Sequence, residues 1–437
     1  MQDGDVALFA GASLAVRNHD VDFPFRQESE FWYLTACPEP DAWLILTKGV
    51  EGVPEAELFV LQRDREREIW NGTRLGPEGA RERLGFAAAR VNTEFPAAAA
   101  AALGKSKRAW ARLGAHAALD RIVLPALQDL RRRVRAGVTP PEVVLDPGPV
   151  LDELRLIKSH DELRLMRRAA ALAAEGHLLA MAQAAPGVGE WEIEALLHFT
   201  FRRHGGDGGG WAYPAIVAGG KNACILHYNT NHERLRAGDL LLIDSGAEFG
   251  SYAADVTRTL PVDGLYQPAQ KAVYELVLAA QLGSIAKCHA GARFEEVHEA
   301  TVRTLCQGLV DLGLYRGSAD ECREKQAYRA WYMHNTSHWL GLDVHDAGRY
   351  RAGGASRPLQ PGMVLTVEPG LYFQPDDTSV PEEFRGLGVR IEDDVAITGG
   401  APEVLTAAVP KTVADVEAAC AASLPPLPTL ETAEAPR

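Results

Sequence analysis

Asp244, Asp255, His338, Glu368 and Glu392 are the residues whose types and order could do chemistry together in this chain. Four carboxylates and one imidazole, each in a strand-like or glycine-flanked segment, have the make-up of a carboxylate-rich site for two divalent ions. Two ions sharing a water would supply a nucleophile near neutral pH, so hydrolysis is the first expectation. The donor set is hard and oxygen-rich. It suits Mn2+ better than a sulfur-seeking ion, and Co2+ or Zn2+ could also occupy it.

The first two aspartates lie in a stretch that reads as a β-hairpin with Phe249-Gly250 at its tip. A two-residue loop there predicts that Asp244 stands directly opposite Asp255, at a Cβ separation of about 4.5–5.5 Å. Two like charges so placed repel unless a cation lies between them. A solvated, exposed sheet face is an equal reading of the hairpin taken alone. His334, His338 and His345 fall within twelve residues of a chain with 13 histidines, which is a concentration beyond chance packing. Glu368 and Glu392 each close an apolar strand run, where an unpaired carboxylate is expensive to bury. Arg390 shares a strand face with Glu392, so a simple intrastrand ion pair is the competing reading there.

The elements that must position these residues divide near Ile157. Residues 1–157 read as one α/β domain, with strand-like runs at 6–9, 42–47 and 56–61 and helical patterns at 77–84 and around 125–134. Proline-rich punctuation at 138–142 and 146–149 precedes the boundary. Ser159 and Glu162 form a capping box that opens a long helix to about residue 185, and a second helix covers 190–204. Strands follow from 213, helices at 268–290 and 293–312, and strands again over 362–397. The domain so defined, 158–420, ends in a proline- and glutamate-containing tail, 421–437, expected to be disordered.

The 437 residues carry 45 basic and 59 acidic side chains, a net charge of −14, which argues against nucleic-acid or anionic-membrane binding. No run of about 18 apolar residues is present, so no membrane span is expected, and the opening residues do not read as a secretory signal. The 6 cysteines are scattered without a C-x-x-C pair and read as reduced thiols of a cytoplasmic protein.

The combined segments 225–228, 242–246, 255–259, 337–346, 366–372 and 389–394 resemble the pita-bread metallopeptidases, the group of aminopeptidase P, prolidase and methionine aminopeptidase. The segments 23–33 and 68–72 resemble the N-terminal domain of aminopeptidase P. The resemblance implies an α/β protein: a creatinase-like N-terminal domain followed by an α+β pita-bread catalytic domain. It implies that Asp255 and Glu392 bridge two divalent ions, that Asp244 binds one of them, and that His338 and Glu368 complete the other. Glu368 would also shuttle the proton and His345 would steady the oxyanion. His227, His334, Tyr372 and Arg390 would line the substrate pocket. Trp70 would form a further wall supplied by a neighbouring subunit in a homo-oligomer, a dimer or tetramer. The expected substrates are peptides with proline in second position, from which the first residue is released. The alternative is a prolidase restricted to dipeptides. Two departures accompany the resemblance. The helix usual before the first strand is missing, which would mean a misassigned start or a trimmed domain. Asn335-Thr336 also replaces a glycine–hydrophobic pair, which would shift the loop carrying His334.

Overall fold

The early apolar runs pair into a mixed six-stranded sheet. β1 (Asp5–Ala10), β2 (Trp43–Lys48), β3 (Ala56–Val60), β4 (Ala88–Val91), β5 (Arg108–Trp110) and β6 (Val143–Leu145) lie in the order β4-β3-β2-β1-β5-β6. Every residue of β1 is buried, so both faces of this central strand are covered. Its side chains alternate accordingly. Val6, Leu8 and Ala10 meet helices α1 (Phe95–Leu103) and α2 (Ala117–Arg132), whereas Ala7 and Phe9 pack with Phe31, Leu44 and Leu58.

The computed structural model describes residues 1–208 and 210–422, so 423–437 of the expected tail lie outside the described residues. The chain divides into two compact units, Met1–Leu154 and Arg155–Arg437. Among the described residues no helix is long and apolar enough to cross a membrane. All six cysteines are free.

The second unit begins with α3 (His160–Gln183). Ser159 Oγ accepts from the Glu162 amide at 3.3 Å and Glu162 Oε2 accepts from the Ser159 amide at 2.7 Å, the reciprocal cap expected there. α3 and α4 (Glu190–Arg203) pack through small residues such as Ala169 and Ala173 against Leu197 and Phe201. A sheet of order β11-β8-β7 follows, from β7 (Ile216–Gly219), β8 (Leu240–Asp244) and β11 (Thr257–Pro261). Between β8 and β11 the hairpin continues as β9 (Glu248–Phe249) and β10 (Tyr252–Ala253). α5 (Pro268–Ile285) and α6 (Phe294–Asp311) lie side by side. The last strands are β12 (Val364–Val367), β13 (Gly370–Tyr372), β14 (Gly388–Arg390), β15 (Asp393–Ala396) and β16 (Glu403–Val404), with β12-β15-β16 in one sheet and β13-β14 paired.

The hairpin register differs from expectation by two residues. Phe249 pairs with Tyr252 and Asp244 with Thr257, so the tip is Gly250-Ser251 and Asp255 is not opposite Asp244. Gly250 and Ser251 have φ of 59° and 66°, the left-handed pair that a tight two-residue hairpin turn requires. A shift of two preserves the period-two alternation, so both aspartates still reach the same side.

Candidate active site

Backbone pairing brings the distant segments together. The stretch carrying His338 lies along β12: Thr366 N–H donates to the His338 carbonyl (3.0 Å), Leu340 N–H to Val364 (3.1 Å) and Glu368 N–H to Thr336 (2.8 Å). His338 and Glu368 therefore project beside one another, with His338 Nε2 at 3.6 Å from Glu368 Oε1. Glu392 follows β14 and is held against β11 by its amide, which donates to the Thr257 carbonyl at 3.1 Å. Asp255 leads into β11, and its amide donates to Asp394 Oδ2 at 3.0 Å.

One donor atom each from Asp255, His338 and Glu392 falls within 4.8 Å of the others. Asp244 joins through Tyr213, whose hydroxyl is 2.6 Å from both Asp244 Oδ1 and Asp255 Oδ1. These residues line a cavity of about 1230 Å³, together with His227, His334, His345 and Arg390. Nine of the eleven residues singled out from the sequence thus share one site. Tyr372 does not line it. Its ring is fully buried among Ile216, Leu242 and Tyr228, and only its hydroxyl faces the site, behind His334. Trp70 belongs to the other unit, on the short helix Arg65–Asn71, and is 85% exposed.

The hydrogen bonds fix the states of the imidazoles. His338 Nδ1 lies 3.0 Å from the Trp339 carbonyl, which can only accept, so Nδ1 carries a proton and Nε2 faces Asp255 Oδ2 at 3.4 Å. His334 Nδ1 likewise donates to the Asn335 carbonyl at 2.8 Å. Its Nε2 accepts from the Tyr372 hydroxyl at 2.9 Å, and that hydroxyl in turn accepts from Arg390 Nη1 at 3.0 Å. Burial, with Arg390 nearby, holds His334 neutral with its pKa down at about 3. The Asn335-Thr336 pair is accommodated. Thr336 Oγ1 is bonded to Tyr332 at 2.7 Å and to His298 at 2.8 Å.

The electrostatics are those of crowded anions in a dry place. Burial, followed by the like charge of Asp255, raises Glu392 well above the carboxylate range. Burial raises Glu368 to about 8, with His338 opposing and Asp255 adding to it. Burial works against a charged His338, but its hydrogen bond to Asp255 and the charge of Glu368 win and raise it to about 9. His345 is pushed down by burial and by His338, whose ring centroid is 4.4 Å away. Arg390 pairs with Asp244 Oδ2 at 2.6 Å, not with Glu392 as the strand periodicity suggested, because Arg390 ends β14 and points toward β8. Such a surplus of buried carboxylate, beside an imidazole that turns Nε2 toward it, fits divalent cations.

Several functional groups escaped the sequence. Thr257 Oγ1 donates to Glu392 Oε2 at 2.6 Å and accepts from Arg390 Nε at 3.1 Å. It stands two residues after Asp255 on a strand, and the period of two could have found it. Tyr213 and His298 carry no sequence signal of this kind.

Comparison with known proteins gives this geometry a family. Residues 164–399 match metallopeptidase family M24, and residues 1–110 match the aminopeptidase P N-terminal domain. The chain belongs to metallopeptidase family M24. It is 43% identical over 421 residues to the Xaa-Pro aminopeptidase of Escherichia coli strain K12, covering 96% of this chain and 94% of that one. The structure of aminopeptidase PepP from Pseudomonas aeruginosa superposes with a TM-score of 0.94 at 44% identity, covering 97% and 95% of the two chains. An E. coli aminopeptidase P variant in complex with substrate superposes at 0.93 with 42% identity, over 97% of this chain and 95% of that one. The first unit is the mixed α/β N-terminal domain of such proteins and the second is the pita-bread catalytic domain. Membership of this metallopeptidase family implies divalent metal ions.

Proposed function

We propose that this chain is an Xaa-Pro aminopeptidase, hydrolysing the bond before a proline in second position and releasing the N-terminal residue. The convergence of Asp255, His338 and Glu392 at the cavity carries this reading, together with the near full-length likeness to Xaa-Pro aminopeptidases. Asp255 and Glu392 would bridge two ions, Asp244 would bind one, and His338 Nε2 and Glu368 would hold the other. The oxygen-rich set favours Mn2+ over Co2+ or Zn2+. Ions bound there would lower the pKa of a shared water toward neutrality and polarise the scissile carbonyl.

The chain's own residues supply the rest. Glu368 accepts the proton of the attacking water and passes it to the proline nitrogen as the bond breaks. His345, exposed in the cavity and disfavoured as a cation, donates an N–H to the developing oxyanion. The acidic cluster attracts the substrate's free ammonium group, which suits removal of a single N-terminal residue. An Xaa-Pro bond has no amide N–H, so recognition cannot use that donor. His227, His334 and Phe294 offer rings to the pyrrolidine and the chain beyond it, and Arg390 sets the Tyr372–His334 pair in place.

The free cysteines fit a cytoplasmic peptidase. A homo-oligomer would use Trp70, too exposed to serve as packing within its own unit, as a wall offered to a neighbouring copy. The test is cleavage of Xaa-Pro-Yaa, Xaa-Pro and Xaa-Ala-Yaa peptides by metal-free and Mn2+-loaded protein. We expect metal-dependent release of the first residue from Xaa-Pro-Yaa alone or in preference. Cleavage of the dipeptide only would make the chain a prolidase, and no preference for proline would overturn the reading.

A further inference from the structure

Six residues separate His338 from His345 at either end of a loop whose underside is ionic. Asp346, next to His345, is buried together with Arg155 and Lys158. Arg155 Nη2 meets Asp346 Oδ1 at 2.5 Å and Lys158 Nζ meets Asp346 Oδ2 at 2.9 Å, with side-chain exposures of 5%, 1% and 1%. The same guanidinium reaches Asp343 Oδ2 at 2.7 Å. Two cations on one buried carboxylate are a costly arrangement that packing alone does not call for, since apolar side chains of similar volume commonly do as well. Gly341 makes room for it. A Cβ there would collide with the Asp346 carboxylate and with the Lys158 stem.

The clamp connects to the site through backbone. The Asp346 amide donates to the Trp339 carbonyl at 2.9 Å. That same carbonyl accepts from His338 Nδ1 at 3.0 Å, the bond that turns Nε2 toward Asp255 and Glu368. At its other end the clamp is anchored to the sheet, because the Lys158 amide donates to the Gly362 carbonyl at 2.8 Å and the Gly362 amide to Ile397 at 3.0 Å. The loop therefore cannot turn about either end without separating buried charges.

We propose that Arg155, Lys158 and Asp346 are positioning residues. By holding Asp346, the two cations fix the Trp339 carbonyl, which orients the His338 ring through Nδ1, and they fix the direction in which His345 leaves the loop. The inference rests on the aminopeptidase reading for its kinetic arm and on geometry alone for its binding arm. Partners of this kind behind metal-ligating histidines are worth about 10–100-fold in affinity or activity.

The test compares wild type with Asp346→Asn, Lys158→Met and the double variant. Leu309→Ala, in the α6 core, serves as a variant destabilised elsewhere. Thermal midpoints, Mn2+ affinity of metal-stripped protein by calorimetry, and kcat and KM on an Xaa-Pro-Yaa peptide are measured well below each midpoint. Asp346→Asn strands buried Lys158, leaves Arg155 only Asp343 and lowers the midpoint, and removing the Lys158 charge as well restores much of it. We expect the double variant to stay about 10–100-fold down in kcat with KM within about twofold, and to bind Mn2+ more weakly, while Leu309→Ala keeps both. Recovery of kcat and Mn2+ affinity in step with the midpoint, or equal losses in Leu309→Ala, would overturn the proposal. A wild type that does not cut the peptide is a failure of the aminopeptidase reading, and the Mn2+ affinities then decide the positioning role by themselves.

Discussion

Replacing Arg390 by Met should destabilise the metal-free protein more than the metal-loaded one. The guanidinium is buried and makes three side-chain contacts: Asp244 Oδ2 at 2.6 Å, the Tyr372 hydroxyl at 3.0 Å and Thr257 Oγ1 at 3.1 Å. At 2.6 Å the attraction to Asp244 is about 6 kcal/mol for an effective dielectric near 20, offset by the cost of drying both ions. Stranding one partner of such a pair costs about 3–5 kcal/mol. Removing the guanidinium makes the site more negative by one charge, whichever of its carboxylates hold protons. The metal-free variant should therefore be about 3–5 kcal/mol less stable than wild type to urea. Divalent ions should bind the more negative site more tightly and recover part of that deficit, by at least about 1.4 kcal/mol for each tenfold gain in affinity. Urea unfolding with and without saturating Mn2+, joined to calorimetric Mn2+ titration, reads both quantities. A deficit of the same size in both states, or a metal-free variant as stable as wild type, would refute the charge balance argued for this site.

Asp255→Ala and Glu392→Ala should each abolish peptide cleavage and metal uptake together; a variant that keeps two tightly bound ions and near-normal turnover would rule out bridging by these residues. Thr257→Val removes the hydroxyl donor to Glu392, a charge-assisted bond of about 1.5–3 kcal/mol, and should weaken Mn2+ binding by about tenfold or more in calorimetry while leaving the strand pairing intact. His177 is fully buried, and burial lowers its pKa from 6.5 to about 4. The folded state thus resists protonation that the unfolded state accepts, so stability is complete above pH 6.5 and is lost as the pH falls toward 4, by about 3 kcal/mol. Urea midpoints of metal-free protein should fall over that window less steeply in His177→Gln than in wild type, and parallel curves would refute the assignment.

The site was legible in the sequence as an inventory, and the reason is local. Strand ends and glycine turns show themselves by periodicity, so Asp244, Glu368 and Glu392 could be placed at the edges of apolar runs, Asp255 in the hairpin, and the density of histidines marked His338. The capping box at Ser159 and Glu162 likewise specified where the long helix starts, because its two bonds lie within one turn. The hairpin register departs by two residues from the one the apolar pattern predicts, because the turn is chosen by which residues tolerate positive φ. Ser251 adopts it beside Gly250, and no apolar pattern signals that.

Partnership is what tertiary structure decided. Arg390 and Glu392 share a strand and invite pairing, yet Arg390 binds Asp244, which lies 146 positions earlier in the chain. Tyr372 carries a ring fit for a pocket wall but is drawn into the core, where its hydroxyl orients His334. Arg155 and Lys158 look like ordinary charges at the head of a helix and prove to be buried against Asp346. Sequence alone determined which chemistry the chain can perform, because residue types and their local periodicity are properties of short segments. Which atom of each imidazole is free, which carboxylates share a charge and what holds the catalytic loop depend on contacts between segments far apart in the chain, and only the folded protein brings those together.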